Sequence, residues 1–200
     1  MAAFGPLVGE EELRIVAAPS VPIPAFDCQP QEHSNWCWAA VAVGMARALK
    51  SIRVLQCEVV SRHKGANCCP PASPVNEVAS LSEILQKQFG IDCDWENARF
   101  LKDTWQAYET IRRRLDAHLP VPILVQWKDE ATGTWPGHYV CAIGYEMLES
   151  EPALWIFDPW RDFAADGNRR LQTLTSMSSY RVGGAARFGR WTELYLPKSP

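Results

Sequence analysis

The stretch Gln31-Glu32-His33-Ser34-Asn35-Trp36-Cys37-Trp38-Ala39-Ala40-Val41-Ala42-Val43-Gly44-Met45-Ala46-Arg47-Ala48-Leu49 carries the first strong helix signal of the chain. It is rich in alanine, and Val41, Met45 and Leu49 recur at helical spacing on one face. With Ser34 or Asn35 available as N-cap, a helix is expected over Trp36 to Leu49. Cys37 falls at its start. Backbone N–H groups there lack intrahelical partners and the helix dipole adds partial positive charge, so thiolate is favoured over thiol and the cysteine is poised as a nucleophile. The plainer alternative is one more small buried residue on an alanine-rich helix.

Working outward, Pro19, Pro22 and Pro24 favour extended backbone, and residues 1–27 read as an arm lying across the surface of a domain formed by residues 28–200. A short helix is expected over Leu55 to His63, stopped by Gly65, and a loop at Cys68-Cys69-Pro70-Pro71. Leu81, Ile84, Leu85 and Phe89 make an amphipathic face ended by Gly90. Ile91 to Trp95 reads as a short strand, and Trp105 to Leu119 as a helix with Tyr108, Ile111, Leu115 and Leu119 on its stripe. After Pro120 the pattern becomes strand-like, at Val121–Trp127, His138–Met147, Leu154–Asp158 and Trp191–Leu196. Helices followed by strands imply an α+β fold of two lobes, with a helical N-terminal lobe against an antiparallel sheet.

Two hundred residues and 22.5 kDa fit one domain, and 47% hydrophobic against 22% charged residues can fill a core. The net charge of −3 and pI near 5.8 argue against a nucleic-acid partner. The longest apolar run, the eleven residues from Trp36 to Ala46, is too short for a membrane span, which needs about 20. No basic patch with an apolar core opens the chain, so no secretory signal is expected. That leaves the cytoplasm or export by a specialised secretion system. Seven cysteines leave the compartment open.

His138 opens a strand after the turn-prone Trp135-Pro136-Gly137, and an imidazole at a strand mouth is reachable from a cleft. His33, His63 and His118 have no comparable setting. If His138–Met147 and Leu154–Asp158 form a hairpin with Tyr145 opposite Glu151, His138 faces Asp158, which can fix its tautomer and stabilise its protonated form. The alternative for Asp158 is a strand-ending turn residue before Pro159. Gln31, six residues before Cys37, offers an amide to an oxyanion, with Gln29 as a competitor.

These residues together resemble the papain-like cysteine proteases. The resemblance rests on Gln31-x5-Cys37 within Gln-Glu-His-Ser-Asn-Trp-Cys-Trp-Ala-Ala, on Gly137-His138-Tyr139-Val140 and on Phe157-Asp158-Pro159-Trp160. More narrowly, the chain is similar to the compact bacterial branch that includes secreted effector proteases. Further echoes are Gln56-Cys57-Glu58-Val59-Val60, Cys68-Cys69, and Ser179-Tyr180-Arg181 with Gly189 to Tyr195. The resemblance implies that Cys37 attacks, His138 shuttles the proton, Asp158 orients it and Gln31 forms the oxyanion hole. It also implies that Trp160 shields the His138–Asp158 hydrogen bond. The papain pattern has Cys-Gly-Ser/Ala before the nucleophile and His roughly 130–150 residues on. Here Ser34-Asn35-Trp36 precedes Cys37, and His138 follows after 101 residues.

The expected activity is hydrolysis of peptide bonds in a protein substrate, without cofactor or metal. The same triad also serves deamidases, transglutaminase-like acyltransferases and non-peptide amidases, and a catalytically dead binding module is the third class. An antibacterial toxin of this kind would have a cognate inhibitor or immunity protein. Trp36, Trp38 and Trp160 are candidate substrate contacts, with core packing as the alternative for the first two; Trp127 and Trp135 are weaker candidates for the cleft wall. Cys57, His63, Cys68 and Cys69 lack the tight knuckles of a zinc site. A bridge from Cys57 to Cys68 or Cys69 and two buried thiols both stay open. Cys28, Cys93 and Cys141 read as structural, with Cys141 on the strand face opposite His138.

Overall fold

A computed structural model describes residues 23, 25–69, 75–97, 104–148, 151–173, 179–182 and 187–198. The order is α1 (Cys37–Lys50), α2 (Gln56–Lys64), α3 (Leu81–Phe89), β1 (Cys93–Asn97), α4 (Thr104–Asp116), β2 (Val121–Gln126), β3 (Gly137–Leu148), β4 (Glu151–Phe157), β5 (Arg169–Thr173), β6 (Tyr180–Val182) and β7 (Arg187–Pro197). A 3-10 turn, Arg161–Asp166, joins β4 to β5. The strands form one antiparallel sheet in the order β1-β7-β2-β3-β4-β5, with β6 on β7. Helix α1 packs on α2, α3 and β3, and α4 packs on β2, β3 and β7. This is the expected α+β arrangement.

The anticipated apolar stripes are buried. Leu81, Ile84, Leu85 and Phe89 of α3 enter the core, as do Tyr108, Ile111 and Leu115 of α4 and Leu119 just beyond it. Gly65 and Gly90 close α2 and α3 in the left-handed conformation, at φ of 67° and 62°, where a side chain would be strained. Helix α1 starts differently from expectation. Its N-cap is Trp36, with no side-chain cap, because Ser34 and Asn35 are committed to Asn76. Asn35 Nδ2 donates to the Asn76 carbonyl at 2.7 Å, and Asn76 Nδ2 to Ser34 Oγ at 2.7 Å.

Two residues of the N-terminal arm are built into the core. Phe26 lays its ring where a Cβ on Gly44 of α1 would stand, 2.3 Å from that position, and meets the Phe157 ring at 5.2 Å. Ile23 is buried, and its N–H donates to the Ile143 carbonyl at 2.7 Å. Ile143 sits where the β3–β4 register shifts, so the arm takes up a carbonyl that the irregular ladder leaves over.

Cys57 of α2 and Cys69 form a disulfide, while Cys68 is a buried free thiol. The bridge pins the chain that leads towards residues 75–77. Lys64 makes an ion pair with Glu77 in the same region. Among the described residues no helix is long and apolar enough to cross a membrane.

Candidate active site

Cys37 is the first residue of α1 and almost fully buried. The loop before it is held from two sides. Gln56 of α2, itself buried, donates to the Pro30 carbonyl at 2.9 Å and accepts from the Glu32 N–H at 3.0 Å. From the sheet side, the Gln31 N–H donates to the Pro159 carbonyl at 2.7 Å. Arg161 Nε donates to the Gln31 carbonyl at 2.9 Å, and its Nη2 to that of Glu32. The loop therefore bridges the two lobes. Gln56 stands in one of the sequence echoes of the resemblance but without a role, and nothing in an arginine after Pro-Trp announces a clamp.

The Gln31 side chain is buried beside this loop. Its Nε2 donates to the carbonyls of His33 at 2.9 Å and Ser34 at 2.7 Å, while Oε1 is buried with no hydrogen-bond partner among the described residues. Such a half-satisfied buried amide is uncommon. Gln29 is engaged with Asp27 at 2.8 Å and lines a different cavity with Arg47, Arg53 and Leu55.

His138 is the second residue of β3, paired with Val125 of β2. Its Nε2 lies 2.8 Å from Asp158 Oδ1, with both side chains essentially sealed from water. The assumed register does not hold. Tyr145 pairs with Leu154, and after the irregularity at Ile143 the last pair is Cys141 with Phe157. Only residues 149 and 150 separate the two strands, where five were expected. A continued ladder would set Trp160, not Asp158, opposite His138. Asp158 lies beyond the last β3–β4 pair and is held on the β5 side, where its N–H donates to the Asn168 carbonyl at 2.8 Å.

That turn is itself locked. Asn168, buried and left-handed at φ 57°, donates through Nδ2 to the carbonyls of Asp158 at 2.7 Å and Trp160 at 2.9 Å. The second carboxylate oxygen accepts from Tyr180 Oη at 2.8 Å, and the first also takes the Trp160 N–H at 3.1 Å. Arg170 Nη1 stands 3.5 Å behind Asp158, its guanidinium 4.2 Å over the Phe163 ring. Tyr180 lay within a quoted sequence echo, yet its role depended on a strand of three residues. Asn168 and Arg170 had no signal.

The electrostatics follow from these contacts. Burial alone would push the His138 pKa down, but the Asp158 carboxylate, and after it Cys37, carry it well above the ordinary imidazole value. Burial would likewise raise Asp158; the His138 charge and hydrogen bond, the Trp160 N–H and Tyr180 hold it below the usual carboxylate range. Burial, then the Asp158 charge, push the Tyr180 phenol up, so it stays a neutral donor. The pair is favoured as imidazolium and carboxylate. Cys37 is the other group that favours the charged imidazole. Since Nε2 is committed to Asp158, Nδ1 is the ring nitrogen left for the sulfur.

The tryptophans divide. Trp160 stands edge-on to His138, ring centres 6.0 Å apart, and lines a cavity of about 410 Å³ with Gln31, His33, Asn76 and Arg161. Trp36 and Trp38 are fully buried, their indoles donating to the carbonyls of Val75 and Glu77 at 3.0 Å each. Both rings take the core position named as the alternative to substrate contact, and they brace the 75–77 segment. Cys141 points at Met45 of α1, Sγ to Sδ 4.0 Å, so it packs against the middle of that helix. Among the described residues no group of three or more His, Cys, Asp or Glu side chains is gathered to hold a metal ion.

Among solved structures, the crystal structure of UfSP from C. elegans matches with a TM-score of 0.53 at 9% identity, over 92% of this chain and 35% of that one. The chain spans about a third of that protein's length, and at this identity the likeness is one of fold. No curated protein matches the chain. The family described as Peptidase_C39 like family matches residues 23–186.

Proposed function

We propose that this chain, which belongs to the Peptidase_C39 like family and is a papain-like cysteine protease, hydrolyses peptide bonds through Cys37, His138, Asp158 and Gln31. The observation that carries this reading is the sealed 2.8 Å contact of His138 Nε2 with Asp158. It leaves the other ring nitrogen to a cysteine at a helix start, where unpaired N–H groups favour negative charge.

In the proposed reaction the Cys37 sulfur attacks the carbonyl carbon, and the carbonyl π pair moves onto oxygen. That oxyanion is met by the Cys37 N–H and by a Gln31 amide proton, which the amide frees by giving up one of its two loop carbonyls. Collapse of the intermediate expels the amine, protonated by the His138 imidazolium. The neutral imidazole then takes a proton from water as the water attacks the thioester, and collapse releases the acid and restores the Cys37 thiolate beside the His138 imidazolium. Asp158 holds ring orientation and charge throughout, and Trp160 keeps water from their hydrogen bond. The substrate is a protein.

The finer reading is that the protease works after export, as a secreted effector of the bacterial type. The Cys57–Cys69 disulfide supports it, since such bonds persist in oxidising surroundings and are rare in a reducing cytosol. A toxin acting on other bacteria would be paired with an inhibitor protein seated on the cleft.

The test is labelling and cleavage together. An epoxide of the E-64 type or iodoacetamide is expected to modify Cys37 ahead of the other thiols, and a treated proteome to gain new termini. A one-dalton gain at glutamine, or cross-linked products, without new termini would replace proteolysis by deamidation or acyl transfer. Failure to label Cys37 selectively would remove the hydrolytic reading.

A further inference from the structure

Beyond His138, the next residue of β3 opens a second feature. Tyr139 pairs with Leu124 of β2, Leu124 with Glu193 of β7, and Glu193 with Asn97 of β1. Residues paired across neighbouring strands share a face, so the four make one row across the sheet. The adjoining row sets Trp95, 56% exposed, beside Tyr195. Tyr139 Oη lies 3.4 Å from Tyr195 Oη, and Tyr195 donates to Glu193 Oε2 at 2.5 Å. The row begins one residue past His138, on the strand face that Cys141 turns to Met45 of α1, the helix that Cys37 opens.

Glu193 is the odd member. It is half-buried beside Leu124 and Tyr195, with Asn97 across from it on β1, and among the described residues no cation pairs with it. Withdrawing a carboxylate from water without a counter-charge is costly. A ligand that brings the charge recovers that cost. Burial, above all, pushes both phenols up, so the tyrosines stay neutral and do not supply the charge. What fits is a side chain with an apolar stem and a cationic head. The stem would run along Leu124 and Tyr139, and the head would meet Glu193 with the exposed Trp95 ring beside it.

We propose that Glu193 is a specificity-determining residue that selects protein substrates with a lysine or arginine close to the scissile bond. This rests on the peptide-bond hydrolysis argued above, and the experiment separates the two. Wild-type enzyme and the E193Q and E193K variants are given matched peptides in which one position near the cleaved bond is arginine, lysine, norleucine or glutamate. Cys37 alkylation is followed in parallel as a report on the nucleophile. Wild type is expected to favour the basic peptides by roughly 10- to 100-fold in kcat/KM, the worth of a hydrogen bond to a charged group. E193Q, whose amide oxygen still accepts from Tyr195, should lose that preference, and E193K should turn it towards glutamate. Cleavage by wild type with no basic preference, or a preference surviving in E193Q, overturns the role of Glu193 and leaves hydrolysis standing. No cleavage of any peptide, with Cys37 unlabelled, brings down both.

Discussion

On the helical side of the cleft, Gln31 and Cys37 lie six residues apart on one loop and helix start, and the neighbours that fix them are mostly backbone carbonyls. On the sheet side, His138, Asp158 and Tyr180 come from the mouth of β3, the turn after β4 and the three-residue β6. They meet only because three side-chain contacts converge on one sealed carboxylate. The first side is one short segment, which Gln56, Pro159 and Arg161 hold in place through its backbone. The second is built by tertiary folding, so its chemistry and its stability stand or fall together.

Substitutions at the two sides should therefore behave differently. Cys37→Ala removes little volume and is expected to lower turnover by about 10⁴-fold or more, with an unchanged melting temperature; melting several degrees lower would make the residue structural. Asp158→Ala should fail on both measures. Turnover should fall by about 10²- to 10⁴-fold, and urea unfolding should show a loss of about 3–5 kcal/mol, as when one partner of a buried ion pair is removed. Wild-type stability after that change would break the contrast between the two sides. Gln31→Ala is expected to cost about 10²- to 10³-fold in kcat with KM little altered. A loss confined to KM would mean that the amide serves the loop and not the oxyanion.

The pH profile sharpens the sheet side. Since the His138 pKa is raised on folding, its contribution to stability is whole below about 6.5 and drains as pH rises towards the folded value. The depressed Asp158 pKa works oppositely. Its contribution is whole above about 3.9 and is lost as pH falls through the folded value. Activity should thus persist in alkali past the range of an ordinary histidine. Asp158→Asn should move the alkaline limb of kcat/KM down by about 1 unit or more, and an unmoved limb would place the charge elsewhere. The smallest effect on activity belongs to the Cys57→Ser, Cys69→Ser pair. It should destabilise the fold by about 2–4 kcal/mol in denaturant while kcat at room temperature stays within a few-fold.

The same contrast governs what could be read from the chain. The helix carrying Cys37, the approach of Gln31 and the strand-mouth position of His138 are written in short periodic segments. The partner of His138 was named for the wrong reason: the assumed hairpin put Asp158 directly opposite, whereas the ladder ends at Phe157 and a turn pinned by Asn168 brings it back. Irregularities such as that at Ile143 have no local signature, so register could not be deduced. Strand β5 (Arg169–Thr173) escaped because Arg-Arg-Leu-Gln-Thr lacks apolar alternation. Trp36 and Trp38 read equally well as cleft or core until the carbonyls that their indoles meet were known.

The ring of Phe26 occupies the notch at Gly44, on the helix that Cys37 opens and two turns further along it. A shortened chain beginning at Cys28 would keep every reactive group and still lose the wedge that seats their rod, together with the Ile23 amide that caps the kink in β3. Trimming a seemingly dispensable leader would then show up as a misaligned sulfur, before any reactive residue had been touched.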